Sequence, residues 1–313
     1  MINLENKTVL VTGGSSMIGR SIIKKLKKRN CKILNPSHKS LDLLDYNKTL
    51  KYFLKHKPDY VIHAAGYNGN ISFNKLYPRD IFYRTSVMGL NTLLAASETG
   101  CGKIVSLLAS CAYESTTDEL KEENFLNGQP DASVEAHGLG KRNLFIMSKQ
   151  ISKQTGMLAV CTIFNTAYGP HDNYNIEKTK VVGGLITKYL NAVEDGQDNV
   201  VCWGTGNPKR ELIYCDDAAE GVIQTLEKYD NVNLPINIGF NKEYTIKELA
   251  DKISSCVGYT GKTTWDTTKP DGQMRKILDS SRMAEFNIEI RRTSLENGLK
   301  KTIKWVKKVN QNK

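Results

Sequence analysis

His137 and Lys141 are four residues apart in the run Val134-Glu135-Ala136-His137-Gly138-Leu139-Gly140-Lys141. On a helix that spacing stacks the two side chains on one face, a turn apart. Imidazole is the side chain best suited to proton exchange near neutral pH. An ammonium group one turn away disfavours the imidazolium, so a neutral His137 is expected. A neutral ring takes a proton from a hydroxyl, which suits oxidation at the carbon that carries it.

The second concentration of chemistry is Thr12-Gly13-Gly14-Ser15-Ser16-Met17-Ile18-Gly19. It lies between an apolar, β-branched run (Thr8 to Thr12) and a helical pattern from Met17 to Lys28. A strand, a glycine turn and a helix in that order offer the helix N-terminus to a dinucleotide diphosphate. Gly13 allows the tight turn, and Gly19 lets the helix approach the strand. Gly13, Ser15, Ser16, Met17, Ile18 and Gly19 are therefore the expected cofactor contacts. Ser16 stands where a three-glycine turn has its middle glycine. Its Cβ is expected to crowd the phosphate, while its hydroxyl can donate to it. No Asp or Glu ends the second strand, where an acid takes the ribose hydroxyls of NAD. His38 and Lys39 are nearby and suit a 2′-phosphate. The cofactor expected is NADP(H) in preference to NAD(H).

Those residues need a scaffold. Apolar runs at 8–12, 31–34, 60–65, 104–108 and 158–164 alternate with helical stretches, the pattern of a parallel sheet covered on both faces. The fold class expected is α/β: a Rossmann-type doubly wound parallel sheet with a smaller mixed α/β C-terminal substrate-binding domain. The division expected is 1–170 for the dinucleotide-binding domain, with 212–240 returning to it. Residues 171–211 and 241–290 form the smaller domain, and 291–313 a C-terminal helix. Leu295, Leu299, Ile303 and Val306 mark that helix's buried face.

The 313 residues carry a net charge of +11, with 40% hydrophobic and 25% charged residues, as in an ordinary globular chain. Basic runs at 24–29 and 300–308 read as solvated faces of amphipathic helices. No nucleic-acid motif accompanies them, so no nucleic-acid partner is expected. The positive balance suits a diphosphate-bearing substrate. Seven scattered cysteines without a CxxC spacing argue against a disulfide framework and against a metal site. No apolar stretch reaches 18 residues, and residues 1–7 lack signal-peptide features. A cytoplasmic protein with no membrane partner is expected.

The remaining marks run along nearly the whole chain. They include Ala64-Ala65-Gly66, Tyr77-Pro78-Arg79-Asp80, Ser110-Cys111-Ala112-Tyr113 and Tyr168-Gly169-Pro170-His171-Asp172-Asn173-Tyr174. Further on come Trp203-Gly204-Thr205-Gly206-Asn207-Pro208-Lys209-Arg210-Glu211 and Lys269-Pro270-Asp271-Gly272-Gln273-Met274-Arg275-Lys276. With these the chain resembles the extended short-chain dehydrogenase/reductase superfamily, the NAD-dependent epimerase/dehydratases, and within it the GDP-sugar epimerase/reductases.

The resemblance implies a Ser or Thr, a Tyr and a Lys at the sugar's C4. Those positions fall on Ala109, His137 and Lys141, so only the lysine is kept. Ser110 adjoins Ala109, but strand neighbours point to opposite faces. The resemblance also implies an epimerising pair, which falls on Cys111 and Lys180, a Cys/Lys pairing like that of GDP-mannose 3,5-epimerases. A thiolate beside a cation acts as a base. Asp45 is implied near the adenine, with Ala64, Ala65 and Gly66 along the cofactor. Asp172, Asn173, Trp203, Arg210, Asp271 and Lys276 are implied for a GDP-linked sugar, and two long helices for a homodimer. The function implied is a nucleotide-sugar epimerase, a C4 reductase/dehydrogenase, or both. The rival is a sugar-nucleotide binder that has lost redox chemistry.

Overall fold

Strand Thr8–Thr12 is apolar or β-branched throughout, and Val9, Leu10 and Val11 are fully buried. Such a strand must be covered on both faces. It lies within six strands, all parallel, in the spatial order Lys32–Leu34, Thr8–Thr12, Tyr60–His63, Lys103–Leu107, Leu158–Phe164, Ile236–Ile238. The chain steps outward from Thr8–Thr12 to Lys32–Leu34, then crosses back to Tyr60–His63. Open parallel sheets bind ligands at such a reversal, beyond the carboxyl ends of the strands. The computed structural model describes residues 1–117, 119–175, 179–269 and 271–311. Pro270 of the sequence motif lies outside the described residues.

The strands' two-residue period decides which helices cover which face. Val9, Val11, Ile62, Val105 and Val160 pack with Ile22 and Leu26 of helix Met17–Leu26 and Val222 and Ile223 of helix Cys215–Lys228. Leu10, Val61, Ile104 and Ala159 face the other way. They meet Phe53, Leu93 and Ile151 of helices Tyr46–His56, Pro78–Glu98 and Glu135–Thr155. The last two helices run close together because Gly89 has no side chain: a Cβ there would lie 2.5 Å from Leu144 Cγ. That close packing fixes the helix carrying His137 and Lys141.

The smaller sheets hold the other wall. Lys209–Tyr214 pairs with Glu243–Thr245 antiparallel and with Arg275–Leu278 and Thr166–Tyr168 parallel. Glu119–Leu120 extends this sheet beside Arg275–Leu278. Asn199–Trp203 pairs separately with Lys262–Asp266. Helix Ile246–Val257 is closed by local chemistry at both ends. Thr245 and Glu248 form a capping box, and Gly258 ends it at φ 86°. Helix Leu295–Asn310 buries Leu295, Leu299, Ile303 and Val306, the expected face.

The basic run at 24–29 differs from its sequence reading. Lys24 pairs with Asp216 at 2.8 Å, and Lys25 with Glu220 at 3.0 Å. Arg29 pairs with Glu220 at 2.8 Å and with Glu227 at 2.9 Å. An acidic helix about 190 residues downstream pairs with these three, a pairing that the run itself does not encode, while Lys27 and Lys28 are exposed as expected. Among the described residues no helix is long and apolar enough to cross a membrane.

Candidate functional site

The glycine turn sits at the chain reversal. Gly13 has φ +68°, and a Cβ there would lie 2.6 Å from Ala65 N; one on Gly19 would overlap Gly13 O. A cavity of about 230 Å³ opens beside it, walled by Thr12 to Ser15, Pro36, His38, Leu41 to Leu44, Ala65 to Tyr67, Arg84 and Met88. Ala64 packs behind Gly13. Met17 and Ile18 are buried, so the cofactor can meet only their backbone amides, which are first-turn donors. Ser16 is the N-cap: its Oγ accepts from Gly19 N at 3.1 Å. Its presence in place of glycine therefore has a local cause. The cradle fits a dinucleotide, because only glycine at 13 and 19 lets the turn close tightly on the neighbouring strand and helix, and the helix end favours an anion.

Two expected contacts lie elsewhere. Asp45 caps helix Tyr46–His56, with its side chain accepting from Lys48 N at 3.0 Å, and it is not on the cavity wall. The acid on the wall is Asp42, which accepts from Leu44 N at 3.1 Å in an Asx turn. His38 lines the cavity, whereas Lys39 lies in the adjoining lysine-rich groove.

Lys141 lies next to Gly66, a residue of the cavity wall. Its Nζ donates to Leu107 O at 2.7 Å and lies 3.8 Å from where a Gly66 Cβ would be. Burial lowers its pKa to about 8, against an opposing pull from the Cys111 and Cys161 thiols. His137 is buried one turn earlier. Burial above all, then the charges of Lys141, Lys180 and Lys276, hold its pKa well below the usual histidine value. The neutral ring expected from the sequence follows. Its Nδ1 is buried with no hydrogen-bond partner among the described residues, which leaves Nε2 for any exchange.

The fourth strand of the sheet ends at Leu107, and Ser110–Ala112 is a single 3₁₀ turn. The strand alternation assumed for Ala109 and Ser110 therefore does not apply. Cys111 is half-buried in this turn and close enough to act electrostatically on Lys141 and Lys276. Lys180 is the exposed N-cap residue of helix Val181–Glu194, and its charge reaches His137, Lys141, Asp172 and Lys276. The four residues singled out for chemistry are thus electrostatic neighbours.

Arg210 and Lys276 are partners in register on adjacent parallel strands, so they project side by side. Asp172, half-buried, has its pKa raised by burial and opposed by Lys180. Asn173 Oδ1 accepts from Asn175 N at 3.0 Å. Trp203 is 68% exposed, with Lys188 Nζ 5.6 Å over its ring, and so offers a free stacking face. Asp271 accepts from Thr205 N at 2.9 Å and Thr205 Oγ1 at 2.6 Å, so its carboxylate shapes the Gly204 turn.

Sequence reasoning missed three residues. Arg142, buried and following Lys141, donates to the carbonyls of Ala112 (2.7 Å), Asn127 (2.7 Å) and Gly128 (2.8 Å). It ties the Cys111 turn to the helix that carries His137 and Lys141. Arg142→Ala is expected to cost about 2–4 kcal/mol in denaturant unfolding, since it leaves several buried carbonyls unpaired. Glu211, also buried, accepts from Phe240 N, Leu278 N and Asn165 Nδ2, fixing the strands that carry Arg210 and Lys276. His63 shares a hydrogen bond of 2.9 Å between its Nδ1 and Thr12 Oγ1. Burial first, then Lys141, drops its pKa to about 3.

His63 and His137 both titrate lower in the folded chain than in the unfolded one. Their contribution to stability is full above about pH 6.5 and is lost as pH falls below it, for His63 down to about pH 3. Within that window each is expected to add about 1.4 kcal/mol per pH unit to the slope of unfolding free energy. Urea melts at successive pH values measure this, and His63→Gln should remove one proton's share.

A glycine cradle at the chain reversal of a parallel sheet, next to a buried Lys/His pair, defines a Rossmann-type α/β protein. Residues 9–239 match the model of the NAD dependent epimerase/dehydratase family, and the chain belongs to that family. It is 30% identical to GDP-L-colitose synthase of Yersinia pseudotuberculosis over 299 residues, covering 95% of this chain and 97% of that protein. It is 32% identical to GDP-L-fucose synthase 1 of Arabidopsis thaliana, covering 95% and 92%. A solved GDP-L-fucose synthetase from Naegleria fowleri bound to NADP superposes with a TM-score of 0.89 at 27% identity, covering 98% of this chain and 96% of that one.

Proposed function

We propose that the chain is a nucleotide-sugar epimerase/reductase that takes a GDP-linked sugar and uses NADP(H). The observation that carries this reading is the convergence of Cys111, Lys180, His137 and Lys141 beside the glycine cradle. The names of the relatives point the same way. His38 on the cavity wall, and the lack of an acid after the second strand, favour NADP(H) over NAD(H). A redox-inactive binder has no support from these relatives.

The roles follow from the residues. Arg210 and Lys276 hold the substrate diphosphate, Trp203 stacks on its base, and Asp172 and Asn173 border the sugar. Cys111 removes a proton from the ring carbon beside C4, and Lys180 serves the opposite face. His137, neutral and reachable only at Nε2, accepts the O4 proton or hydrogen-bonds a C4 carbonyl. Lys141 orients the nicotinamide ribose and biases His137 toward the neutral form. A nicotinamide held beside Lys141 would supply or take the hydride at C4. Phe82, Tyr83 and Ile146, exposed on helices Pro78–Glu98 and Glu135–Thr155, support a homodimer through those helices.

The test is absorbance at the reduced-nicotinamide band with GDP-4-keto-6-deoxymannose and NADPH, and in reverse with a GDP-hexose and NADP⁺. Turnover in either direction is the expected result. Tight GDP-sugar binding with no absorbance change in both would reject the redox half of the reading.

A further inference from the structure

The cofactor cavity has one permanent cation on its wall, and it is not in the glycine turn. Arg84 reaches the wall from helix Pro78–Glu98 and lines the same cavity as Thr12 to Ser15. Its guanidinium has no hydrogen-bond or ion-pair partner among the described residues. Instead it lies over the Tyr67 ring, 4.9 Å from the centroid. Tyr67 is itself held in place. Thr85 Oγ1 donates to its carbonyl at 3.2 Å, and Phe73 packs on its ring edge-on at 5.5 Å.

A dinucleotide diphosphate carries two negative charges into this cavity. The turn meets it with one amide fewer than it could, because Gly19 N is already bonded to Ser16 Oγ. Asp42, the acid on the wall, adds no compensation. A cation resting on an aromatic face in water is weakly held. The same guanidinium on a phosphate gains two charge-assisted hydrogen bonds.

We propose that Arg84 is the cofactor's diphosphate clamp, parked on the fixed Tyr67 ring until the dinucleotide arrives. The proposal rests on the cofactor reading above. It accounts for an exposed arginine with no ion-pair partner among the described residues and for an aromatic shelf buttressed from two sides.

The test is equilibrium binding followed by nicotinamide fluorescence, with NADPH and NADH as separate probes and ADP-ribose as competitor. Arg84→Met should weaken all three by about 10- to 100-fold, the value of a charge-assisted pair. Arg84→Lys should lose less, and high salt should shrink the difference. Unchanged melting temperatures would confirm intact folding of these surface variants. Equal affinities for Arg84→Met and wild type would overturn the clamp. So would a loss confined to NADPH, which would move Arg84 to the 2′-phosphate. Wild-type protein binding neither dinucleotide would reject the cofactor reading and the clamp with it.

Discussion

Cys111→Ala is expected to slow exchange of the ring proton beside C4 by about 100- to 10,000-fold, the usual worth of a positioned base. Binding of GDP and of the GDP-sugar should stay within a few-fold, because Cys111 contacts neither Arg210 nor the Trp203 face in this account. The fold should tolerate the change. Cys111 lies outside the three buried apolar clusters, and Arg142 holds its turn through the carbonyl of Ala112 rather than through the thiol. Cys111→Ser should be nearly as slow, since a hydroxyl ionises far less readily than a thiol. The assay is deuterium incorporation by mass spectrometry, with binding measured separately on the same protein.

Lys141→Met has the second large effect, and its two readouts move in different directions. Hydride transfer should fall by about 100- to 1,000-fold, because the residue beside the nicotinamide end of the cavity no longer donates. Stability should hold or rise. The ammonium is buried on one carbonyl, and a methionine of similar volume removes its desolvation cost. Removing this charge also relieves the repulsion on His137 and His63. The acid loss of stability should still begin near pH 6.5 but end at a higher pH, so that the total fall is smaller than in wild type, measurable by urea melts. Loss of both activity and several kcal/mol of stability would instead mark Lys141 as structural.

The cofactor end was the most legible part of the sequence because its constraints are local. Gly13 and Gly19 are dictated by backbone clashes within a few residues of the turn, and the alternation of apolar runs fixes a parallel sheet. The sequence is less decisive where a short side chain has two uses. Asp42 and Asp45 are three residues apart and chemically alike, and only the path of the loop decides which caps a helix and which faces the cavity. For Ser16 the sequence offers a Cβ that crowds a phosphate and a hydroxyl that donates to one, and the structure adds a third use, the helix cap.

Other misses are non-local in origin. Arg142 gathers carbonyls from residues 112, 127 and 128, and Glu211 gathers amides from residues 240 and 278; neither spacing is visible in the chain. The acidic partners of Lys24, Lys25 and Arg29 are likewise on another helix. His137 itself was readable because a helical spacing of four carries the electrostatic argument. The structure added the sealed Nδ1 and two more lysines around the ring, which strengthen the case for a neutral proton acceptor.

The central claim is that this cleft moves protons on the ring of a nucleotide sugar through Cys111 and its lysine neighbours. Its most direct test is incubation of the wild-type protein with a GDP-4-keto sugar in D₂O, followed by NMR at the carbons flanking C4. The account predicts deuterium at C3 or C5 that depends on Cys111 and on Lys180. A wild-type spectrum with those protons fully retained, on a protein shown to bind the sugar nucleotide, would contradict it.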